Sequence, residues 1–160
     1  RFDDLQSAIP IPIVNIVKIT AEKVMQQYGS GVKIGILATD GTLNMKLYQE
    51  AFKHYDIECL VPSSPAQKRV MSTIYAIKAG ENILAKTALG ESIEELMRYG
   101  AQHVLLGCTE LSLYFEEIQQ MGYSVIDPLR ITAQRLVDEH QSVARIENRD
   151  TRMNVFADVT

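Results

Sequence analysis

Along this chain, short β-branched apolar runs alternate with longer stretches whose apolar positions recur every three or four residues. That alternation predicts an open parallel α/β sheet with helices on both faces, because parallel strands need helical crossovers between them. Strands are predicted at Lys33–Ala38, Ile57–Val61, His103–Leu106 and Ser124–Ile126, with a further candidate at Ile13–Val17. A first helix is predicted over Phe2–Ile9, ended by Pro10-Ile11-Pro12, and a second over Ile19–Tyr28, closed by Gly29 and Gly31. Thr42–Lys53 reads as one helix with Leu47, Tyr48, Ala51 and Phe52 on a shared face. Ser64-Pro65 is a cap-plus-proline helix start, followed by Val70, Ile74 and Ile77 at helical spacing. The pattern is again helical from Asn82 to Tyr99, weakened by Gly90, and Pro128 opens a last helix carrying Leu129, Ala133, Leu136 and Val137. From Gln141 onward the chain is charge-rich without a strong period and is assigned no element.

Composition narrows the partners. The 160 residues suit one domain, and 46% hydrophobic with 22% charged residues is an ordinary globular balance. Sixteen Lys plus Arg against twenty Asp plus Glu leave a net charge of −4, with no basic surplus for neutralising phosphates, so nucleic acid is not an expected partner. The longest apolar runs reach about five residues against the ~20 that span a bilayer, so no membrane partner is expected. Two cysteines make no disulfide scaffold, and a reduced, cytoplasmic compartment is expected. No signal peptide or lipidation motif is recognisable.

Ligands of an open parallel sheet bind beyond the carboxyl ends of its strands, where strand order reverses. In the common 2-1-3-4 order the strands at Lys33 and His103 are neighbours. Their trailing loops, Thr39-Asp40-Gly41-Thr42 and Gly107-Cys108-Thr109-Glu110, then flank the crevice. The first loop offers two hydroxyls, a glycine and helix N-terminal N–H groups suited to a carboxylate; it is equally a plain turn with Thr42 or Asp40 as N-cap. Cys108 stands at a strand end before a short helix, where the dipole and N–H groups would favour its thiolate, whereas Cys59 lies inside a strand as a small hydrophobe. Lys78 is either a helix C-terminal cation or a ligand for a substrate carboxylate. Glu110 is either a first-turn carboxylate or a group that binds or orients beside Cys108. His103 lies five residues before Cys108 on the same strand, roughly 16 Å away at ~3.3 Å per residue, and is out of reach of the thiol. His54 and His140 are expected at the surface. No metal-ligand spacing, GxGxxG or Walker loop occurs, so neither a metal nor a nucleotide cofactor is expected.

Several segments recur in an order and spacing that resemble the aspartate/glutamate racemase superfamily, on its aspartate-racemase side. They are Gly35-Ile36-Leu37-Ala38-Thr39-Asp40-Gly41-Thr42, Leu47-Tyr48-Gln49, Ile77-Lys78-Ala79-Gly80, Leu106-Gly107-Cys108-Thr109-Glu110-Leu111 and Val125-Ile126-Asp127-Pro128. Glutamate racemases usually carry His after the Cys-Thr pair, where this chain has Glu110. The resemblance implies flavodoxin- or Rossmann-like lobes and a 1,1-proton transfer needing no cofactor, on a small amino-acid substrate such as aspartate or glutamate. In it, two cysteines on opposite faces of Cα act as acid and base. Cys108 matches the second of these cysteines. Thr39, Gly41, Thr42 and Thr109 fall in the segments that hold the substrate's carboxylate or ammonium, with Glu110 beside them, and Lys78 matches a substrate-binding lysine.

The first cysteine of such enzymes stands in a Cys-Asn-Thr motif, which this sequence lacks. The resemblance therefore implies a division into residues 1–31 as the end of an N-terminal lobe, 32–127 as the lobe bearing Cys108, and 128–160 as a helix and tail that would return to the N-terminal lobe. Most of the N-terminal lobe is expected to be missing. The chain on its own is expected to be inactive or weakly active and to form a homo-oligomer, such as a dimer, through uncovered apolar residues. The competing expectations are a non-catalytic domain that binds a small carboxylate or a protein, and a one-cysteine relative such as a decarboxylase or isomerase.

Overall fold

A computed structural model describes residues 2–81 and 85–141. It is a three-layer α/β arrangement around a parallel four-stranded sheet, with strands β1 (Lys33–Leu37), β2 (Glu58–Leu60), β3 (His103–Leu106) and β4 (Val125–Ile126) in the order β2-β1-β3-β4. This is the expected order. Side chains alternate across the pleat. Ile34, Ile36, Ala38, Leu105 and Ile126 join the core on one face, while Leu37, Val104 and Leu106 join it on the other.

The first face is covered by α2 (Ile16–Tyr28) through Ala21 and Val24, by α4 (Leu47–Lys53) through Tyr48 and Phe52, and by Ile131 of a helix over residues 128–141. The second is covered by α5 (Ser64–Lys78) through Val70, Ile74 and Ile77, by α6 (Ala85–Arg98) through Leu89, Ile93 and Leu96, and by Ile118 of α7 (Phe115–Gln120). Gly35 lets α6 approach β1: an added Cβ there would stand 3.0 Å from the Leu96 Cβ and 3.2 Å from the Ala101 Cβ.

Two elements differ from expectation. Residues 13–15 form no strand; α2 begins at Ile16, capped by Asn15, whose Oδ1 accepts from the Lys18 N–H at 3.0 Å. Val17, Ala21 and Val24 recur at helical spacing and pack against the sheet, so helix packing wins over the β-branched local preference. The helix expected over Thr42–Lys53 is two, α3 (Asp40–Asn44) and α4, because Lys46 takes the left-handed conformation (φ 53°) and turns the chain between them. A short α1 (Phe2–Ala8) buries no residue. The first residues of the helix expected from Asn82, and the segment 142–160, lie outside the described residues.

Candidate functional site

The site is a rim at the carboxyl ends of β1 and β3. Leu37 pairs with Leu106, and the Gly107 N–H donates to the Leu37 carbonyl at 2.7 Å, so the chain leaves both strands still paired. Only glycine fits there: a Cβ on Gly107 would meet the Ala38 Cβ at 2.9 Å and the Leu37 oxygen at 3.3 Å. Continuing that register places Thr39 and Cys108 opposite one another across the two strand ends.

Helix α5 lies across this rim. Near its start the Gln67 amide donates to the Ala38 carbonyl (3.0 Å) and to Asp40 Oδ1 (2.8 Å). One turn on, the Met71 sulfur accepts from the Asp40 N–H at 3.3 Å, and at its last residue Lys78 reaches Glu110 beyond β3. This course brings Lys78 to Cys108.

The Thr39 turn is capped by Thr39 itself, not by Thr42 or Asp40: its Oγ1 accepts from the Thr42 N–H at 3.3 Å and lies 3.0 Å from the Thr42 hydroxyl. Two of the N–H groups expected to be free for an anion, those of Asp40 and Thr42, are thus engaged within the protein, and Asp40 adds a negative charge beside them. What the turn offers a carboxylate is its pair of half-buried hydroxyls. Gly41 is exposed, with an ordinary φ and room for a Cβ.

On the other side of the rim, the Cys108 thiol donates to Glu110 Oε2 at 2.8 Å, and the Thr109 hydroxyl donates to the same oxygen at 3.3 Å. Glu110 Oε1 faces the Lys78 ammonium at 3.3 Å. Contrary to the expected thiolate, burial and the Glu110 carboxylate push the Cys108 thiol up to about 11. The Glu110 N–H and Lys78 pull the other way without offsetting them, and the segment after Cys108 is a 3₁₀ turn (Leu111–Tyr114), not the start of an α-helix. The same thiol hydrogen bond, Glu110's own N–H and Lys78 hold the Glu110 carboxyl down at about 2. With the acceptor that acidic and the thiol that weak an acid, the proton stays on sulfur at neutral pH.

Behind the rim lies a buried pair that sequence reasoning passed over. Asp127, only 2% exposed, follows β4 and accepts from the Ser112 hydroxyl (2.9 Å) and the Leu129 N–H (2.9 Å). It thereby ties the 3₁₀ turn after Glu110 to the last helix. Tyr48 on α4 has its phenol pushed up to about 12 by burial, by the Asp127 carboxylate and by Cys108, which places it in the field of the same rim. An acidic residue between a strand and a proline was the available signal for Asp127.

The profile of the Asp/Glu/Hydantoin racemase family matches residues 1–136. The chain belongs to that family. It is 30% identical over 116 residues, 72% of this chain and 76% of the other, to an uncharacterized protein in the pnlA 3′ region of Pectobacterium carotovorum subsp. carotovorum. It is 26% identical over 161 aligned positions to a glutamate racemase of Shewanella sp. (strain MR-7), covering 95% of this chain and 58% of that enzyme. Among solved structures, an aspartate racemase homologue from Pyrococcus horikoshii superposes with a TM-score of 0.71 at 26% identity, covering 86% of this chain and 60% of that one. The chain thus spans a little over half the length of the glutamate racemase and of the aspartate racemase homologue.

Other candidate chemistry of this racemase-family chain lies away from the rim. Cys59 sits on the edge strand β2, paired with Ile34, its thiol pushed up to about 12 by burial and by Glu58. A cleft of about 880 Å³ beside it, lined by Lys46, Gln49, Lys53 and Glu58 among others, includes none of the rim residues. His103 begins β3, stacked on Tyr28 at 3.8 Å and bonded to Ser124 at 2.7 Å. Among the described residues, no group of three or more His, Cys, Asp or Glu side chains could hold a metal ion, and no helix is long and apolar enough to cross a membrane.

Proposed function

We propose that this chain is the Cys108-bearing part of a cofactor-independent, two-cysteine amino-acid racemase acting on aspartate or glutamate. The observation that carries the reading is the position of the Cys108 thiol, at the switch point between β1 and β3 and flanked by the Thr39–Thr42 hydroxyls and Lys78, in a chain of this family. Removing a proton from an amino acid's Cα needs a base on one face, and returning it with inversion needs an acid on the other. Cys108, held as a thiol, is suited to the acid half: its S–H bond breaks, the proton goes to the Cα carbanion, and a thiolate remains. In the reverse direction that thiolate removes the proton. The hydroxyls of Thr39 and Thr42 would hold the α-carboxylate while the carbanion develops, and Lys78 and Thr109 would bind substrate charge on the other side of the rim.

The opposing thiol is assigned to the Cys-Asn-Thr position of a first lobe outside these residues, with residues 1–31 as that lobe's end and the helix from Pro128 returning to it. The reading includes a cytoplasmic, homo-oligomeric protein. Exposed Leu5 and Ile11 near one end and Leu136 and Val137 on the last helix support the oligomer.

Protection of the thiol tests the site. D- or L-aspartate, or glutamate, is expected to slow alkylation of Cys108 while leaving Cys59 unaffected, as read by peptide mass spectrometry. Equal labelling of Cys108 with and without saturating amino acid overturns the reading. A non-catalytic carboxylate-binding domain is the second reading, favoured by there being a single thiol at the rim, with Cys59 on the edge strand away from it. Protection without Cα deuteration in heavy water by the protein joined to its complementary lobe selects it.

A further inference from the structure

We propose that Glu110 is a resident competitor for the substrate's side-chain carboxylate, so that a dicarboxylic amino acid enters by displacing it from Lys78. This rests on the carboxylate-site reading above. A single carboxylate already spans the polar groups of this side of the rim: Oε1 at 3.3 Å from Lys78 Nζ, and Oε2 at 2.8 Å from the Cys108 sulfur and 3.3 Å from the Thr109 hydroxyl. These are the donors a bound carboxylate would use, and they are taken by the protein's own.

Glu110 occupies the donors that a substrate carboxylate would need and carries the same charge, so the two compete for Lys78. The exchange is nonetheless easy. Lys78 is 50% exposed and Glu110 23% exposed, and an ion pair this open to water is weak. Glu110 has a flexible stem and solvent beside it. Its departure would also remove the acceptor that holds the Cys108 proton on the Glu110 side, leaving the S–H bond free to turn toward Cα. Substrate entry and release of the catalytic proton thus become one event. Lys78 then selects for substrates with a second carboxylate, and Glu110 sets how tightly they bind.

The probe is succinate, a dicarboxylate without a reacting Cα, titrated calorimetrically into the wild-type chain, Glu110→Gln, Lys78→Met and the double variant. Circular dichroism checks that each is folded. Glu110→Gln is expected to bind succinate at least about fivefold more tightly than wild type, with the gain shrinking at high salt. That gain is expected to vanish when Lys78 is also replaced. Glu110→Asp, one methylene shorter, gives a partial gain and serves if the Gln variant misfolds. Equal or weaker succinate binding by Glu110→Gln, with wild type still binding and Cys108 still protected, overturns the competitor and leaves the carboxylate site standing. Folded variants that all fail to bind succinate or aspartate overturn both.

Discussion

At the scale of the residue, the chemistry turns on one proton. Alkylation rates follow the thiolate, so the Cys108 rate is expected to rise about tenfold per pH unit toward about 11 and to exceed that of Cys59, whose thiol lies at about 12. Glu110→Gln removes the like charge and weakens the acceptor, so at pH 8 it should speed Cys108 labelling and leave Cys59 unchanged. Iodoacetamide time courses with peptide mass spectrometry decide this; slower labelling in the variant would show that Glu110 does not hold the proton on sulfur. The stability linkage has the same origin. Folding raises this thiol above its ordinary value near 9, so its contribution is complete below about pH 9 and is lost as pH climbs toward 11. The placement of Thr39, Thr42 and Cys108 at the rim was legible because they fall in the loops that trail two predicted strands, and strand ends are where open sheets put ligands. The thiolate was misjudged because its protonation depends on which way the Glu110 side chain turns, which no periodicity announces.

At the scale of the element, the strand order was legible because alternating strands and helices with right-handed crossovers leave few topologies. The course of α5 was not. Its Val70, Ile74 and Ile77 predict an amphipathic helix without saying that it crosses the rim, and only the Gln67, Met71 and Lys78 contacts, each to a distant segment, reveal it. The break at Lys46 was equally hidden, since a left-handed lysine has no compositional mark. The junction of β1 and β3 makes a sharp test. Gly107→Ala would force the Ala38 and Leu37 backbones apart and is expected to cost about 1–3 kcal/mol, read from urea denaturation midpoints. Gly41→Ala, with 3.8 Å to its nearest neighbour, should stay within about 0.5 kcal/mol of the parent. Equal effects at the two positions would mean that the strand ends are not as tightly joined as the Gly107–Leu37 hydrogen bond indicates.

At the scale of the whole molecule, a proton transfer through Cα needs two groups facing each other, and the distribution of thiols decides how much these 160 residues do alone. There are two cysteines. Cys59 is level with Ile34, and Cys108 lies two positions beyond the Leu37–Leu106 pair. At about 3.3 Å per residue that is roughly 16 Å along the strands, with two strand spacings, about 10 Å, across the sheet. No substrate Cα is within hydrogen-bond reach of both sulfurs. Tyr48 and Asp127 are both buried: Tyr48 packs in the core on the opposite face of the sheet from Cys108, its phenol up at about 12, and Asp127 is engaged by the Ser112 hydroxyl and the Leu129 N–H, so neither is assigned as the second base. This polypeptide by itself is therefore expected to racemise aspartate and glutamate little or not at all, as followed by chiral chromatography from either enantiomer. A single thiol can still remove and return a proton on one face, so slow Cα deuteration in heavy water with retained configuration, lost in Cys108→Ala, is compatible with the geometry. Rapid inversion that disappears in Cys108→Ala would require a second base within reach of the opposite face of Cα, and would overturn the assignment of that base to a separate lobe.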